Sequence, residues 1–494
     1  MTGKPRVMIA AVRSGAGKTS IATGLMGAFT RRGYRVQGFK VGPDFIDPSY
    51  HTAATGRWAR NLDTWLLSPA QVREFFGAAS ADADLAVVEG VMGVFDGLRG
   101  RGERASSAEI AKLLGCPVIL VVDVRAQARS AVVEFLGCRA LDPALPLAGV
   151  ILNRVHGPRH LAMLREGFEA AGKIPVLGAI QEGSFPRFTE RHLGLVPVPE
   201  QQEAGAALAA LAEAVAQQVD LEEILKVARA APGRSPFSAA GGAPAGCPAA
   251  AAQNPEEGGA GRGAGEEPRE ALAAGSSNAR VRVAFAWDEA FNFYYRDGFD
   301  ALQRLGIELV PFSPLRDAAL PPGVGGVILG GGFPELFAGQ LAANRAMQES
   351  LRQAHRWGLP IYAECGGFMY LCERLVDQEG CSYGMVGLVP GACRMEKRLV
   401  GMGYVTARAL ASSILCETGE SLRGHEFHYS SFVPHCEFFP WAFSFDRGDG
   451  EPRPDGYARE NLLASYLHFH FASSPRAAAR FAAACRARRR SVPT

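Results

Sequence analysis

From Arg6 to about Glu200 short apolar runs alternate with helical stretches. The runs Val7–Ala11, Val36–Phe39, Leu85–Glu89, Val118–Asp123, Leu147–Asn153 and Val176–Ile180 are dense in Val, Ile and Leu. Strands covered on both faces read this way, so the spacing predicts a doubly wound parallel α/β domain. Ligands of such a domain lie outside the carboxyl ends of the strands. Residues 201–229 read as one or two amphipathic helices. From 231 to 279 large apolar side chains nearly vanish and Ala, Gly, Pro, Ser and Glu dominate. That composition buries too little surface to offset ordering entropy, which predicts a low-complexity linker. The pattern resumes at Val281–Ala286, followed by an expected helix over Phe291–Leu305 and strands at Ile307–Pro311 and Val324–Leu329. A helix to about Trp357, a strand Pro360–Ala363, β-strands over Gly401–Arg408 and Gly424–Tyr429 and a final helix complete the second half. The expected division is therefore 1–230, the linker 231–279, and 280–494, all of α/β class.

Composition narrows the classes. The chain has 494 residues, 48% of them hydrophobic and 21% charged, enough for more than one ordinary core. A formal net charge of +2 gives no sign of a nucleic-acid or membrane-surface partner. The basic cluster Arg486–Arg490 reads as a solvated helix end. Ten cysteines occur without a CxxC pair or zinc spacing, so reduced thiols in a cytoplasmic protein are expected. The first strand begins at once, leaving no expected signal peptide, and no apolar run is long enough for a bilayer.

The first candidate chemistry follows the opening strand. Ser14-Gly15-Ala16-Gly17-Lys18-Thr19-Ser20 has the form of a phosphate cradle, although Val12 stands where the strict pattern has glycine. Backbone N–H groups of Gly15, Ala16 and Gly17 close around phosphates, Lys18 adds a charge, and the Thr19 hydroxyl, beside Ser20, can hold Mg²⁺. Mg²⁺ takes one or two carboxylates besides phosphate oxygens and water, and Glu89 and Asp44 are the acids expected to supply them. A carboxylate closing an apolar strand, as Glu89 does, is costly unless it binds something. Asp44, Asp47 and Asp96 sit in Pro/Gly-rich segments that either serve the site or simply turn the chain. The amide of Asn153 either reads an adenine edge or closes a turn.

A second candidate site lies in Pro360-Ile361-Tyr362-Ala363-Glu364-Cys365-Gly366-Gly367. A cysteine at a strand-to-helix elbow exposes its sulfur at a helix N-terminus and suits a nucleophile. Its base is sought in Ser465-Tyr466-Leu467-His468-Phe469-His470, where His468 and His470 share a strand face. Gly330-Gly331-Gly332 lets backbone approach a substrate and offers oxyanion donors, which makes Gly331 and Gly332 expected substrate contacts. His425 and His428 are either substrate contacts or hydrogen-bonded sheet residues.

Together these segments resemble a known family. The Cys365 elbow, the Gly330–Pro334 loop and the late Tyr466-Leu467-His468 look like a triad-type class I glutamine amidotransferase domain. The first half resembles a dethiobiotin-synthetase-like P-loop ATPase. Fused in this order with Lys40–Asp47, Arg60-Asn61-Leu62-Asp63, Glu89–Gly97, Phe291–Tyr295 and Gly424–Ser430, they are similar to the cobyrinic acid a,c-diamide synthase family. The family's third triad member, a Glu two residues after the His, is replaced by His470, leaving Cys365 and His468 as the working pair. The resemblance implies a carbon–nitrogen ligase of cobalamin biosynthesis. ATP and Mg²⁺ would activate a corrin carboxylate as an acyl phosphate, and glutamine-derived ammonia would convert it to an amide. Asp47 and Asp96, together with Asp44 where it does not serve the metal, would then orient the tetrapyrrole acid. Small molecules are the expected partners, with room for a homodimer. The alternatives are the same chemistry on hydrogenobyrinic acid or a nickel sirohydrochlorin, a deviant-Walker partition-type ATPase switch, and an inactive amidotransferase serving as an interaction module.

Overall fold

In the computed structural model, residues 3–100, 102–186, 190–191, 194–195, 198, 204–232, 280–448 and 450–489 are described. The first half is built on seven strands: β1 (Arg6–Ala10), β2 (Val36–Val41), β3 (Arg60–Leu62), β4 (Leu85–Glu89), β5 (Val118–Asp123), β6 (Leu147–Val155) and β7 (Val176–Gln181). They form one sheet in the order β3-β2-β4-β1-β5-β6-β7, every pairing parallel. β1, β2, β4 and β5 are buried along their whole length, the physical reason β1, β4 and β5 read as nearly continuous apolar runs, while β2 also buries Gln37 and Lys40. Because β1 lies between β4 and β5, the loop after it opens at a crevice where the strand order reverses. The stretch 201–229 contains two helices, Ala204–Gln218 and Leu221–Arg229. The expected linker lies outside the described residues, apart from Ala231 and Pro232.

The second half carries a ten-stranded mixed sheet. Its parallel part runs Ile307–Phe312, Val281–Ala286, Val327–Leu329, Ile361–Glu364, Leu462–Ser465. Antiparallel strands extend it to Ser421–His428 and His468–Phe469. A separate four-stranded sheet includes Cys372–Val376 and Val389–Met395.

The expected helix over Phe291–Leu305 starts only at Arg296. Phe291, Phe293 and Tyr295 are buried while Asn292 and Tyr294 are partly exposed, a period of two that suits extended chain. Phe293 makes an isolated bridge to Gly331, which ties this segment to the triple glycine.

The halves dock through directed bonds. Arg60 Nη1 reaches Asp297 and Asp300 at 2.5 Å each. Tyr404 donates to Asp63 Oδ2 (2.7 Å), and Gln71 Nε2 donates to the Ala472 carbonyl (2.7 Å). Tyr295 and Ala472 of the second half are members of the first half's core. Among the described residues, no helix is long and apolar enough to cross a membrane.

Candidate functional site

The chain leaves β1 and turns through Gly15 (φ 75°) and Gly17 (φ 101°) before the helix Lys18–Arg31 starts. A side chain at Gly17 would overlap the Asn153 amide. Asn153 Nδ2 donates to the Ala16 carbonyl (2.9 Å), so the residue braces the loop from below. A Cβ at Gly15 meets nothing within 4 Å, which leaves open space on the outer side of the loop. Lys18 Nζ donates to the carbonyls of Met92 (2.7 Å) and Arg13 (3.1 Å). Burial, with Lys40 second, pushes its pKa down to about 8. A lysine at that value is still largely protonated at neutral pH, and phosphate oxygens would replace those carbonyls as partners.

Below the loop lies a buried cluster. Thr19 Oγ1 donates to Glu89 Oε1 at 2.6 Å and lies 3.2 Å from Asp47 Oδ2. Lys40 Nζ bridges Asp47 (2.6 Å) and Glu89 (2.8 Å), and His51 Nε2 holds the other Glu89 oxygen at 2.7 Å. Glu89 has no solvent exposure. Burial opposes its charge, but Lys40 and His51 outweigh it and hold the pKa below the carboxylate range. Burial also opposes the Lys40 ammonium, and Asp47 with Glu89 raises it nonetheless. Burial, then Asp44 and Glu89, pushes Asp47 up. Two carboxylates meeting one hydroxyl are the kind of hard oxygen donors that Mg²⁺ takes. Asp44 is turned elsewhere: its Oδ1 accepts from the backbone N–H of Ile46 (2.7 Å) and Asp47 (3.2 Å) at the start of the Ile46–Thr55 helix. Asp96 accepts from Gly93 N (2.8 Å) and closes its own loop.

Cys365 stands at φ 47°, ψ −103°, between the strand Ile361–Glu364 and the helix Gly366–Leu371. That is a strained elbow for a residue with a Cβ. The elbow does not expose its sulfur as expected: Cys365 is 6% exposed because the cavity around it is closed in by both halves, and burial, with Glu335 second, pushes its pKa up. A protonated thiol needs a base. His468 lines the same cavity, stacked on His425 (4.8 Å between ring centres) and packed at a tilt against Phe45 (5.0 Å). A Cβ on Gly331 would come within 2.6 Å of His468 Cε1, so glycine there makes room for the imidazole. Gly332 lines the cavity beside Cys365. His425 Nδ1 meets Tyr295 OH at 3.0 Å, and burial, then His468, holds its pKa well below the usual value. His428 donates Nδ1–H to the Ser430 carbonyl (2.7 Å) and stacks on Tyr466. His470 packs on Tyr295 and accepts from Ala472 N (3.2 Å).

A cavity of about 480 Å³ lies between the thiol site and the first half; it reaches Met92, whose carbonyl Lys18 holds, but is not lined by Gly15–Ser20 or by the Glu89 cluster. Asp44, Phe45, Met92 and Gly97 line it from the first half, and Cys365, His468, Tyr404 and Arg447 from the second. Phe45 belongs to the segment that ends in Asp47. It stacks on Phe293 (5.2 Å) and packs on His468, so one short loop touches both centres.

Sequence reasoning gave no role to Lys40, His51, Phe45 or Glu364. Lys40 carried a usable signal, a charge near the end of an apolar strand, and it is the register partner of Glu89. Glu364 carried the same signal. His51 and Phe45 had none, because their partners come from distant segments.

Fold and site together define a P-loop nucleotide-binding half docked on a glutamine amidotransferase half. Residues 7–195 match the family described as a CobQ/CobB/MinD/ParA nucleotide binding domain. Residues 282–476 match the CobB/CobQ-like glutamine amidotransferase domain. The chain is 41% identical to a cobyrinate a,c-diamide synthase from Syntrophotalea carbinolica, covering 98% of this chain and 99% of that one. It is 42% identical to a hydrogenobyrinate a,c-diamide synthase from Streptomyces coelicolor (98% of each chain). A cobyrinate a,c-diamide synthase from Dehalococcoides mccartyi is 39% identical over 97% of both. The chain belongs to the a,c-diamide synthase family. A partition-type switch is not favoured, since it leaves the amidotransferase half without a purpose.

Proposed function

We propose that this enzyme amidates the a and c carboxylates of cobyrinic acid in cobalamin biosynthesis, using glutamine and ATP. The observation that carries the reading is the single cavity bounded by Cys365 and His468 on one side and by Asp44, Met92 and Gly97 on the other. Residues 280–494 release nitrogen, and residues 1–230 activate the acid.

His468 accepts the Cys365 thiol proton as sulfur attacks the glutamine side-chain amide. The same imidazole returns the proton to departing ammonia, and water releases glutamate from the thioester. In the other half Gly15–Ser20 hold the nucleotide phosphates, with Lys18 supplying positive charge. Thr19 and Glu89, with Asp47 in the place first expected for Asp44, would hold Mg²⁺, which neutralises charge on the phosphates. The substrate carboxylate takes the terminal phosphoryl group. Ammonia then attacks the acyl carbon, phosphate leaves, and an amide remains. Asn153 supports the loop, and Asp44 and Asp96 shape the acceptor side. A cytoplasmic location agrees with free thiols at all nine cysteines among the described residues. A homodimer is part of the same proposal and is read by sedimentation.

The test is turnover of a panel of tetrapyrrole acids, cobyrinic and hydrogenobyrinic among them, with ATP and either glutamine or ammonium, reading product mass. Cys365→Ala is expected to abolish glutamine-dependent product and to leave ammonium-dependent product intact. Undiminished glutamine-dependent synthesis by that variant would overturn the reading.

A further inference from the structure

The amidotransferase half lacks a carboxylate two residues after His468, and His470 in that place faces Tyr295 and Ala472 N instead. A general base nevertheless needs its far nitrogen oriented. His468 Nδ1 is buried and has no hydrogen-bond partner. Leaving such a group unpaired costs about 1–3 kcal/mol, so an unpartnered Nδ1 in a packed site calls for a function. A carboxylate oxygen does lie near it: Glu364 Oε2, at 3.7 Å.

We propose that Glu364, the residue immediately before the nucleophile, is the positioning residue of the glutaminase site, taking over the role of the absent carboxylate by accepting the Nδ1–H of His468.

The surroundings of Glu364 suit this role. Its side chain is buried, and its other oxygen is anchored twice, by Tyr362 OH (2.5 Å) and by the N–H of Phe469 (3.1 Å). Phe469 follows His468 in the same short strand, so that second bond ties the carboxylate to the backbone carrying the imidazole. Oε1 is thus structural and Oε2 is left facing Nδ1. The distance exceeds a hydrogen bond by about half an ångström or more. Catalytic hydrogen bonds in ligand-free sites are often long and tighten when substrate binds. A proton held on Nδ1 leaves Nε2 as the free base toward the thiol, the tautomer that proton abstraction needs. The register explains how the chain achieves this. Ile361–Glu364 lies parallel to Leu462–Ser465, pairing Glu364 with Ser465, so the end of one strand stands beside the start of the segment that leads to His468.

This inference rests on the glutaminase reading above, and Glu364→Gln separates the two. The amide oxygen of Gln can still accept from Tyr362 and Phe469, but its NH₂ cannot accept from Nδ1. Glutamine-dependent kcat is expected to fall about 10²-fold or more, with KM for glutamine, ammonium-dependent synthesis and Tm unchanged. Full glutamine-dependent kcat in Glu364→Gln, with Cys365→Ala inactive, overturns the role of Glu364 alone. Full activity in both variants overturns the underlying reading, and this inference with it. A second measurement needs only the wild-type protein plus a His468→Gln sample for assignment. Imidazole ¹⁵N NMR is expected to show His468 protonated on Nδ1, and an Nε2–H tautomer would overturn the proposal.

Discussion

Gly331→Ala tests the geometry of the thiol site with one added carbon. The new Cβ would stand 2.6 Å from His468 Cε1, 3.4 Å from its Nδ1 and 3.3 Å from Phe293 Cβ. Non-bonded carbons settle at about 3.5–4.0 Å, so the imidazole must retreat by about 1 Å. It has little room to do so, because His425 and Phe45 pack on the ring at 4.8 and 5.0 Å. Gly331 does not adopt the positive φ that would penalise alanine, so the strain is purely steric. A displacement of about 1 Å in a catalytic group costs about 10²-fold in rate, and such overpacking costs about 1–3 kcal/mol of stability. Glutamate release at saturating glutamine is the assay, with ammonium-dependent amidation and thermal unfolding as controls. The expected variant is folded, competent with ammonium and about 10²-fold slower with glutamine. A folded Gly331→Ala enzyme with a glutamine-dependent kcat within about threefold of wild type would refute the placement of His468.

Two further substitutions probe the buried polar groups. Lys40→Met removes the ammonium between Asp47 and Glu89 and leaves an uncompensated buried carboxylate, so chemical denaturation is expected to show a loss of about 3–5 kcal/mol. An unchanged unfolding midpoint would show that the cluster is not held by charge. His470 is buried, and burial, with Arg60 opposing its charge further, lowers its pKa to about 3. An unfolded imidazole titrates near 6.5, so the folded state binds fewer protons in this window and stability falls as pH drops from about 6.5 to 3. The full loss is of the order of 4–5 kcal/mol, and His470→Asn is expected to move the acid-unfolding midpoint to lower pH. A midpoint that stays in place would remove His470 from the causes of acid sensitivity.

How much was legible depended on how local each feature is. The phosphate loop and the Cys365 elbow are contiguous, and their turn chemistry is written in adjacent residues. The parallel strands showed because burial on both faces leaves unbroken apolar runs. The three-residue strand Arg60–Leu62 left too short a run to see, yet it carries the docking residue Arg60 and leads to Asp63. Phe291–Tyr295 read as the start of a helix because its aromatic run masks an alternation of buried and partly exposed positions. The Lys40–Glu89–His51 cluster arises from the register of β2 with β4 and from the helix after β2, which no single segment reveals. Asp44 and Asp47 are three residues apart, and only the helix start at Ile46 separates the capping acid from the one that meets Thr19. Glu364, like Glu89, closes a buried strand, but its partner His468 comes from a segment about a hundred residues later, so its role shows only once the two strands are side by side.

In the proposed reaction, nitrogen freed at Cys365 crosses the cavity between the halves and is consumed on the first half's side. The direct measurement is synthesis from amide-¹⁵N glutamine and ATP in the presence of excess unlabelled ammonium, at a pH where little of it is free ammonia. Product whose new amides carry ¹⁵N is expected. Product whose isotope ratio follows the bulk ammonium would contradict it.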